Sequence, residues 1–102
     1  MIRGTTPTLT CNCGTQSLDL TTCHGIIVKI VQMDDVAITL SGARLDISAH
    51  KIECFLTQEQ SLSLCEGEAE MQIHGLTEGN VRWASDTIPI TIKKTNYEEE
   101  IT

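Results

Sequence analysis

The sequence predicts an all-β protein: an antiparallel β-sandwich, immunoglobulin-like, with about seven short strands and one short helical turn. Three observations predict it. Apolar and polar residues alternate with a period of two in several stretches, as in Glu68-Ala69-Glu70-Met71-Gln72-Ile73-His74 and Thr87-Ile88-Pro89-Ile90-Thr91-Ile92-Lys93. Such alternation gives a strand one buried face and one wet face. Turn-forming residues separate these stretches at short intervals, and no segment keeps a helical period long enough for an independent helix. With 102 residues the prior is one domain. The expectation is a sandwich over residues 1–94 and an acidic, flexible tail over 95–102, where Glu98-Glu99-Glu100 forms a charge run.

Taken in order, the first strand is expected over 6–13, with Pro7 near its start, where a missing N–H is tolerated at an edge. Residues 14–23 read as a loop or irregular edge. Gly25 opens the most continuously apolar run, 26–32, the candidate central strand. Asp34-Asp35 makes a tight connection to a strand over 36–40, and Ser41-Gly42 turns the chain into a short strand over 45–47. A strand over 51–56 follows. Thr57 with Gln60 three residues on is a capping box, so a helical turn is expected over Gln58–Leu62, dropping Leu62 or Leu64 over the open end of the core. Glu66-Gly67 is a turn, 68–75 an amphipathic strand, and Thr77-Glu78-Gly79-Asn80 a hairpin loop with Gly79 or Asn80 at positive φ. The return runs over 81–84 and 87–93, broken by a bulge at Ser85-Asp86. Pro89 within it must point its missing donor away from any neighbour.

Composition narrows the function classes. Seven basic against fourteen acidic residues give a net charge of −7, which disfavours nucleic acid and anionic membranes as partners. No stretch approaches the ~20 apolar residues of a membrane helix, and the opening residues lack the apolar core of a secretory signal. The chain is therefore expected to stay in the cytoplasm of the cell that makes it, with reduced thiols. The aromatics are Phe55, Trp83 and Tyr97 alone, so the core must be built from Ile, Leu, Val, Met and Cys. Stacking on sugars is correspondingly weak, and a carbohydrate-binding sandwich ranks last among the functions considered. Trp83 belongs in the core, with an exposed contact patch as the alternative.

No constellation of catalytic residues stands out. There is no phosphate loop, nucleophile elbow or calcium loop. His24, His50 and His74 are far apart in sequence and read as surface residues, and Glu68 and Glu70 share the wet face of one strand. The expectation is no catalytic site. The one grouping with metal-ligand chemistry is Cys11, Cys13, Cys23 and His24, donors suited to tetrahedral zinc but without the usual two- to four-residue spacing within pairs. The competing reading makes Cys11 and Cys13 small core hydrophobes. Cys54 falls in the apolar register of its strand and Cys65 in a turn.

Met1-Ile2-Arg3-Gly4-Thr5-Thr6-Pro7-Thr8 resembles the opening, IRGTTPT, of small all-β proteins encoded in phages and prophages of Gram-positive gut bacteria. Shorter matches follow: an alternating strand ending near Gln32, the segment Leu56-Thr57-Gln58-Glu59, and Ala84-Ser85-Asp86 leading into a strand that ends at Ile92. The N-terminal domain of phage baseplate upper proteins has a similar look. The chain departs from that pattern at Cys11, Cys13 and Gly14, where such proteins carry apolar residues and Pro. The resemblance implies a non-enzymatic structural or assembly protein of the virion, synthesised in the host cytoplasm, that binds other phage structural proteins or copies of itself as a homo-oligomer. Candidate docking edges are residues 5–10 and the strand around Pro89. The alternative is a small cytosolic domain that holds zinc through the Cys/His group.

Overall fold

Each alternating run becomes a strand with one face inward, and the strands divide between two antiparallel sheets. The computed structural model of the chain describes residues 1–12, 18–33 and 35–101, with side chains except at 35–37. Cys13, residues 14–17 of the expected 14–23 loop and the Asp34 half of the Asp34-Asp35 turn lie outside the described residues.

The strands are β1 (Thr8–Asn12), β2 (His24–Gln32), β3 (Asp35–Ser41), β4 (Leu45–Ile47), β5 (Lys51–Phe55), β6 (Gly67–Leu76), β7 (Arg82–Ala84) and β8 (Ile88–Ile92), with one helical turn, α1 (Gln58–Leu62), between β5 and β6. One sheet has the order β1-β5-β4. The other runs β3-β2-β6, and β7 and β8 both pair with the far side of β6. In immunoglobulin lettering, β1, β5 and β4 occupy the places of B, E and D. β3, β2, β6 and the β7–β8 return occupy those of C′, C, F and G. The most apolar run of the sequence is thus an interior strand, flanked by β3 and β6 as its composition predicts.

The core is aliphatic. Ile26, Val28 and Ile30 of β2, Ala69, Met71 and Ile73 of β6 and Ile90 and Ile92 of β8 face Cys11 of β1 and Ile52, Cys54 and Leu56 of the opposite sheet, all buried. Burying a side chain of this size contributes roughly 1.5–3 kcal/mol each. Two side chains close the ends. Leu64, just past α1, is wholly buried, so it rather than half-buried Leu62 plugs the sandwich. Leu20 plugs another gap from a 3-10 turn (Leu20–Thr22) within the segment expected to be irregular. Asp19 caps that turn, accepting from the Thr21 backbone N–H at 2.9 Å and the Thr21 hydroxyl at 2.6 Å, which holds its carboxyl below the ordinary 3.8.

The capping box forms as the sequence predicts. Thr57 Oγ1 accepts from Gln60 N at 3.1 Å, and Gln60 Oε1 accepts from Thr57 N at 3.0 Å. Asn80 takes φ 61° in the hairpin between β6 and β7. The break at Ser85-Asp86 is stitched to β6: Ser85 N donates to Ile73 O at 2.9 Å, Ile73 N donates to Ser85 Oγ at 3.0 Å, and Gln72 Nε2 donates to Ser85 O at 2.8 Å. A second irregularity, absent from the sequence reading, lies at the start of β2. There the register with β6 slips by one residue between His24 and Ile27, around Gly25 at φ 63°. Only glycine takes that conformation without strain.

The N-terminal residues are part of the sheet. Met1 N donates to Thr91 O at 3.0 Å, Lys93 N to Met1 O at 2.7 Å and Arg3 N to Lys93 O at 3.1 Å, a short parallel addition to the outer edge of β8. Backbone groups two residues apart along a strand point the same way. Thr91 and Lys93 therefore show that the nitrogen of Pro89 faces this outer edge, and its missing donor removes no bond to β6. Arg3 then crosses to α1, its guanidinium donating to the carbonyls of Leu62 at 2.8 Å and Leu64 at 2.5 Å and pairing with Glu98 at 2.9 Å. Gly4 N donates to the buried Ser61 Oγ at 2.9 Å. The tail expected to be flexible is exposed over most of its length. It is also tied back to α1, where Gln58 exchanges two hydrogen bonds with the Ile101 backbone at 2.8 and 2.9 Å.

Two stability predictions follow from these contacts. Arg3→Ala removes charge-assisted bonds to the carbonyls of Leu62, the last residue of α1, and of Leu64 just past it, and is expected to cost about 2 kcal/mol in urea unfolding. Arg3→Lys, which keeps the charge but loses the planar fork, should recover less than half of that. Gly75 lies beneath the Trp83 ring, where an added Cβ would sit 2.8 Å from Cζ2 and 3.0 Å from Cε2. Gly75→Ala is expected to cost about 1–3 kcal/mol. In a double-mutant cycle, Trp83→Leu should abolish most of the penalty; additivity would show that the clash is relieved elsewhere.

Candidate interaction site

The pleat that fills the core also decides what the outside of each sheet presents. On the five-stranded sheet, alternate residues Ile27, Lys29 and Val31 of β2, Glu68, Glu70, Gln72, His74 and Leu76 of β6 and Arg82 of β7 face outward. Register puts His74 opposite Ile27 and Ala84, Lys29 opposite Gln72, and Leu76 opposite Arg82. At the Leu76 end these residues line a groove of about 470 Å³ with Gly25 and Gly75 in its floor. The groove holds two of the chain's seven Lys and Arg residues, Lys29 and Arg82. Arg82 Nη2 lies 3.3 Å from His74 Nδ1. The opposite end of the same face is acidic: Glu70 and Glu68 are exposed, and Glu68 Oε1 accepts from Thr91 Oγ1 at 2.8 Å. In a chain of net charge −7 this local reversal of sign stands out. It was legible in principle, from strand parity and the register of the 77–80 hairpin, but no motif in the sequence marks it.

The sheet edges differ in how they are guarded. β4 and β7 have three residues each, and β8 carries Pro89 and is overlaid by residues 1–3. Short length, proline and coverage are the usual protections of an exposed edge. Among the described residues β1 and β3 have none of these three, though the register of β3 against β2 shifts between Ile30 and Val31. β1, Thr8–Asn12, contains no charged residue, and β3, Asp35–Ser41, contains a charge only at its first position. Each pairs on one side only among the described residues. Both sequence-predicted edges are edges in the structure: residues 8–10 lie on the open one, and Pro89 lies on the guarded one.

The described residues of the Cys/His group, Cys11, Cys23 and His24, lie on different elements. Cys11 points into the core from β1, half-buried Cys23 ends the Leu20–Thr22 turn with its thiol 3.6 Å from the Asp19 carbonyl, and His24 is exposed at the start of β2 in the other sheet. Cys13 lies outside the described residues. Among the described residues, no group of three or more His, Cys, Asp or Glu side chains is arranged to hold a metal ion. Cys54 is buried beside Met71, with its thiol 3.9 Å from Met71 Sδ and 3.5 Å from the Leu9 carbonyl. Cys65 is exposed, as its turn position predicts, and its backbone is gripped by Gln32, which accepts from Cys65 N and donates to Cys65 O, both at 2.8 Å. His50 is exposed, and half-buried His74 belongs to the groove. Trp83 packs against the core, half-buried, with its Nε1 buried and without a hydrogen-bond partner among the described residues.

No described helix is long and apolar enough to cross a membrane. No protein-family profile, curated protein or solved structure matches the chain.

Burial pushes the Cys54 thiol from the ordinary 9.0 up to about 11, with the neighbouring Cys11 thiol adding to the shift. The folded state thus holds the neutral thiol where the unfolded chain ionises. Its contribution to stability is complete below about pH 9 and is lost as pH rises towards 11. The urea midpoint of the native protein should fall more steeply over that interval than that of Cys54→Ala. Parallel pH profiles would show that the thiol is not held neutral in the fold.

Proposed function

We propose that the chain is a non-catalytic structural or assembly protein of a phage or prophage, an interaction module for tail or baseplate proteins or for further copies of itself. The observation that carries this reading is the unequal protection of the edges. The fold invests Pro89 and residues 1–3 in covering β8, while among the described residues β1 and β3 each pair with a neighbouring strand on one side only. An added strand on such an edge gains main-chain hydrogen bonds with little demand on side-chain fit, and open edges are common sites of protein association. The resemblance of Met1 to Thr8 to phage and prophage proteins supplies the context. The dispersion of the three histidines over separate elements supports a role in binding rather than in proton transfer.

Mass spectrometry of particles purified after prophage induction is expected to find the chain at more than a few copies per particle. Its presence in the lysate but absence from intact particles and assembly intermediates would count against the reading. Thr10→Lys with Thr39→Lys, both at exposed positions on the open edges, should leave the urea midpoint nearly unchanged and abolish incorporation.

A further inference from the structure

We infer that the cationic groove on the outer face of the five-stranded sheet receives the acidic tail of a second copy of the chain, giving a head-to-tail contact. The inference deepens the reading of the chain as an assembly module but uses a different surface from the strand edges.

Two features that a single copy leaves exposed match each other. The groove offers Lys29 and Arg82 above an apolar floor made by Ile27 and Leu76. The tail offers Glu99 and Glu100 between Tyr97 and Ile101, which are 55% and 69% exposed. Glu98 is already paired with Arg3 of its own chain, and Gln58 pins the Ile101 backbone, so the remaining side chains of this segment are presented rather than trailing. The chain's own tail does not serve. Ile92 pairs with Gly67, at the first residue of β6, whereas the groove surrounds Leu76, at its last. That distance along the strand is about 30 Å. Only a tail fully extended back along β6 would cover that distance, and Gln58 holds Ile101 at the α1 end through two hydrogen bonds. The donor and receptor surfaces therefore sit at opposite ends of the molecule. A contact between unlike surfaces is heterologous, so it propagates into a ring or an open filament rather than closing at a dimer.

The test uses charge reversal and mixing, read by sedimentation velocity at low ionic strength. The native chain is expected to self-associate with rising concentration and to dissociate as salt is added. The groove variant Lys29→Glu/Arg82→Glu and the tail variant Glu99→Lys/Glu100→Lys should each weaken self-association about tenfold or more. Mixing the two variants re-creates opposite charge at every contact and should restore association to near the native strength, a result that misfolding of either variant cannot produce. A native chain that does not associate, association indifferent to both reversals, or a mixture of folded variants that stays dissociated would each overturn the inference. Association indifferent to charge reversal but lost in Thr10→Lys/Thr39→Lys would leave the strand-edge reading standing and remove this one.

Discussion

The sandwich is closed at one end by Arg3. The chain must cross from the three-stranded sheet to the five-stranded sheet after β5, and it does so through α1, a helix too short to be stable alone. A short helix ends with carbonyls that its own turns cannot satisfy. Arg3 donates to one of them, at Leu62, and to the carbonyl of Leu64 just beyond, while its backbone is bonded to Lys93 and its charge is paired with Glu98. Four parts of the chain are thereby fixed at one residue: the N-terminal segment, the crossover, the end of β8 and the tail. Leu64 follows α1 directly, so its wholly buried position depends on the same clamp. Ser61 and Gly4 complete it. The buried hydroxyl accepts from Gly4 N, and Gly4, at φ 86°, lies so close to Leu62 that an added Cβ would stand 3.0 Å from Leu62 Cδ2. The segment that carries the resemblance is thus occupied with closing the fold.

A core without aromatic residues gives the sheets little help at their ends, and glutamine side chains make up part of that deficit. A primary amide carries a donor and an acceptor side by side, like the N–H and C=O of one residue in a strand. Gln32 uses both on the Cys65 backbone and Gln58 uses both on the Ile101 backbone, so each behaves as a single rung of ladder where no strand continues. Gln72 holds the carbonyl of Ser85 at the break between β7 and β8, and Gln60 closes the cap of α1. These residues are polar and partly exposed, yet they fasten the points at which the chain leaves regular structure.

This division of labour explains what was legible in the sequence. Strands with a wet face, such as β6 and β8, declare themselves by alternation, and β2 by its apolar run. The cap of α1 is a local motif, and its residues meet within one turn. Leu20 was not legible, because a lone leucine among polar residues takes its meaning from a gap formed by strands far away in the chain. The Gly25 bulge was hidden for a similar reason: a glycine before a strand signals a turn as readily as an irregular pairing. Cys11 and His24 lie near each other in sequence but on strands of opposite sheets, a separation that spacing alone does not reveal. The cationic end of the outer face needs three elements in register before Lys29, His74 and Arg82 become neighbours, so no local pattern could assemble it.

The placement of the N-terminal segment constrains how copies or partners approach. With the β8 edge covered, among the described residues β1 and β3 are the longer sheet edges, and strand addition on either would extend a sheet laterally. The tail-to-groove contact runs instead along the strands, from the Gly67 end of one copy to the Leu76 end of the next. The two directions do not compete for any residue, and they differ in kind. Edge pairing rests on main-chain hydrogen bonds between uncharged groups and is little affected by salt. The groove rests on exposed charges, which fade beyond a separation of about 8 Å at physiological ionic strength. A chain of net charge −7 repels its copies at long range, so any assembly it forms must first bring a locally positive surface to the front. Among the described residues the Leu76 end of the outer sheet face offers such a surface without occupying an edge. Electrostatic capture there, as proposed, would involve no residue of β1 or β3.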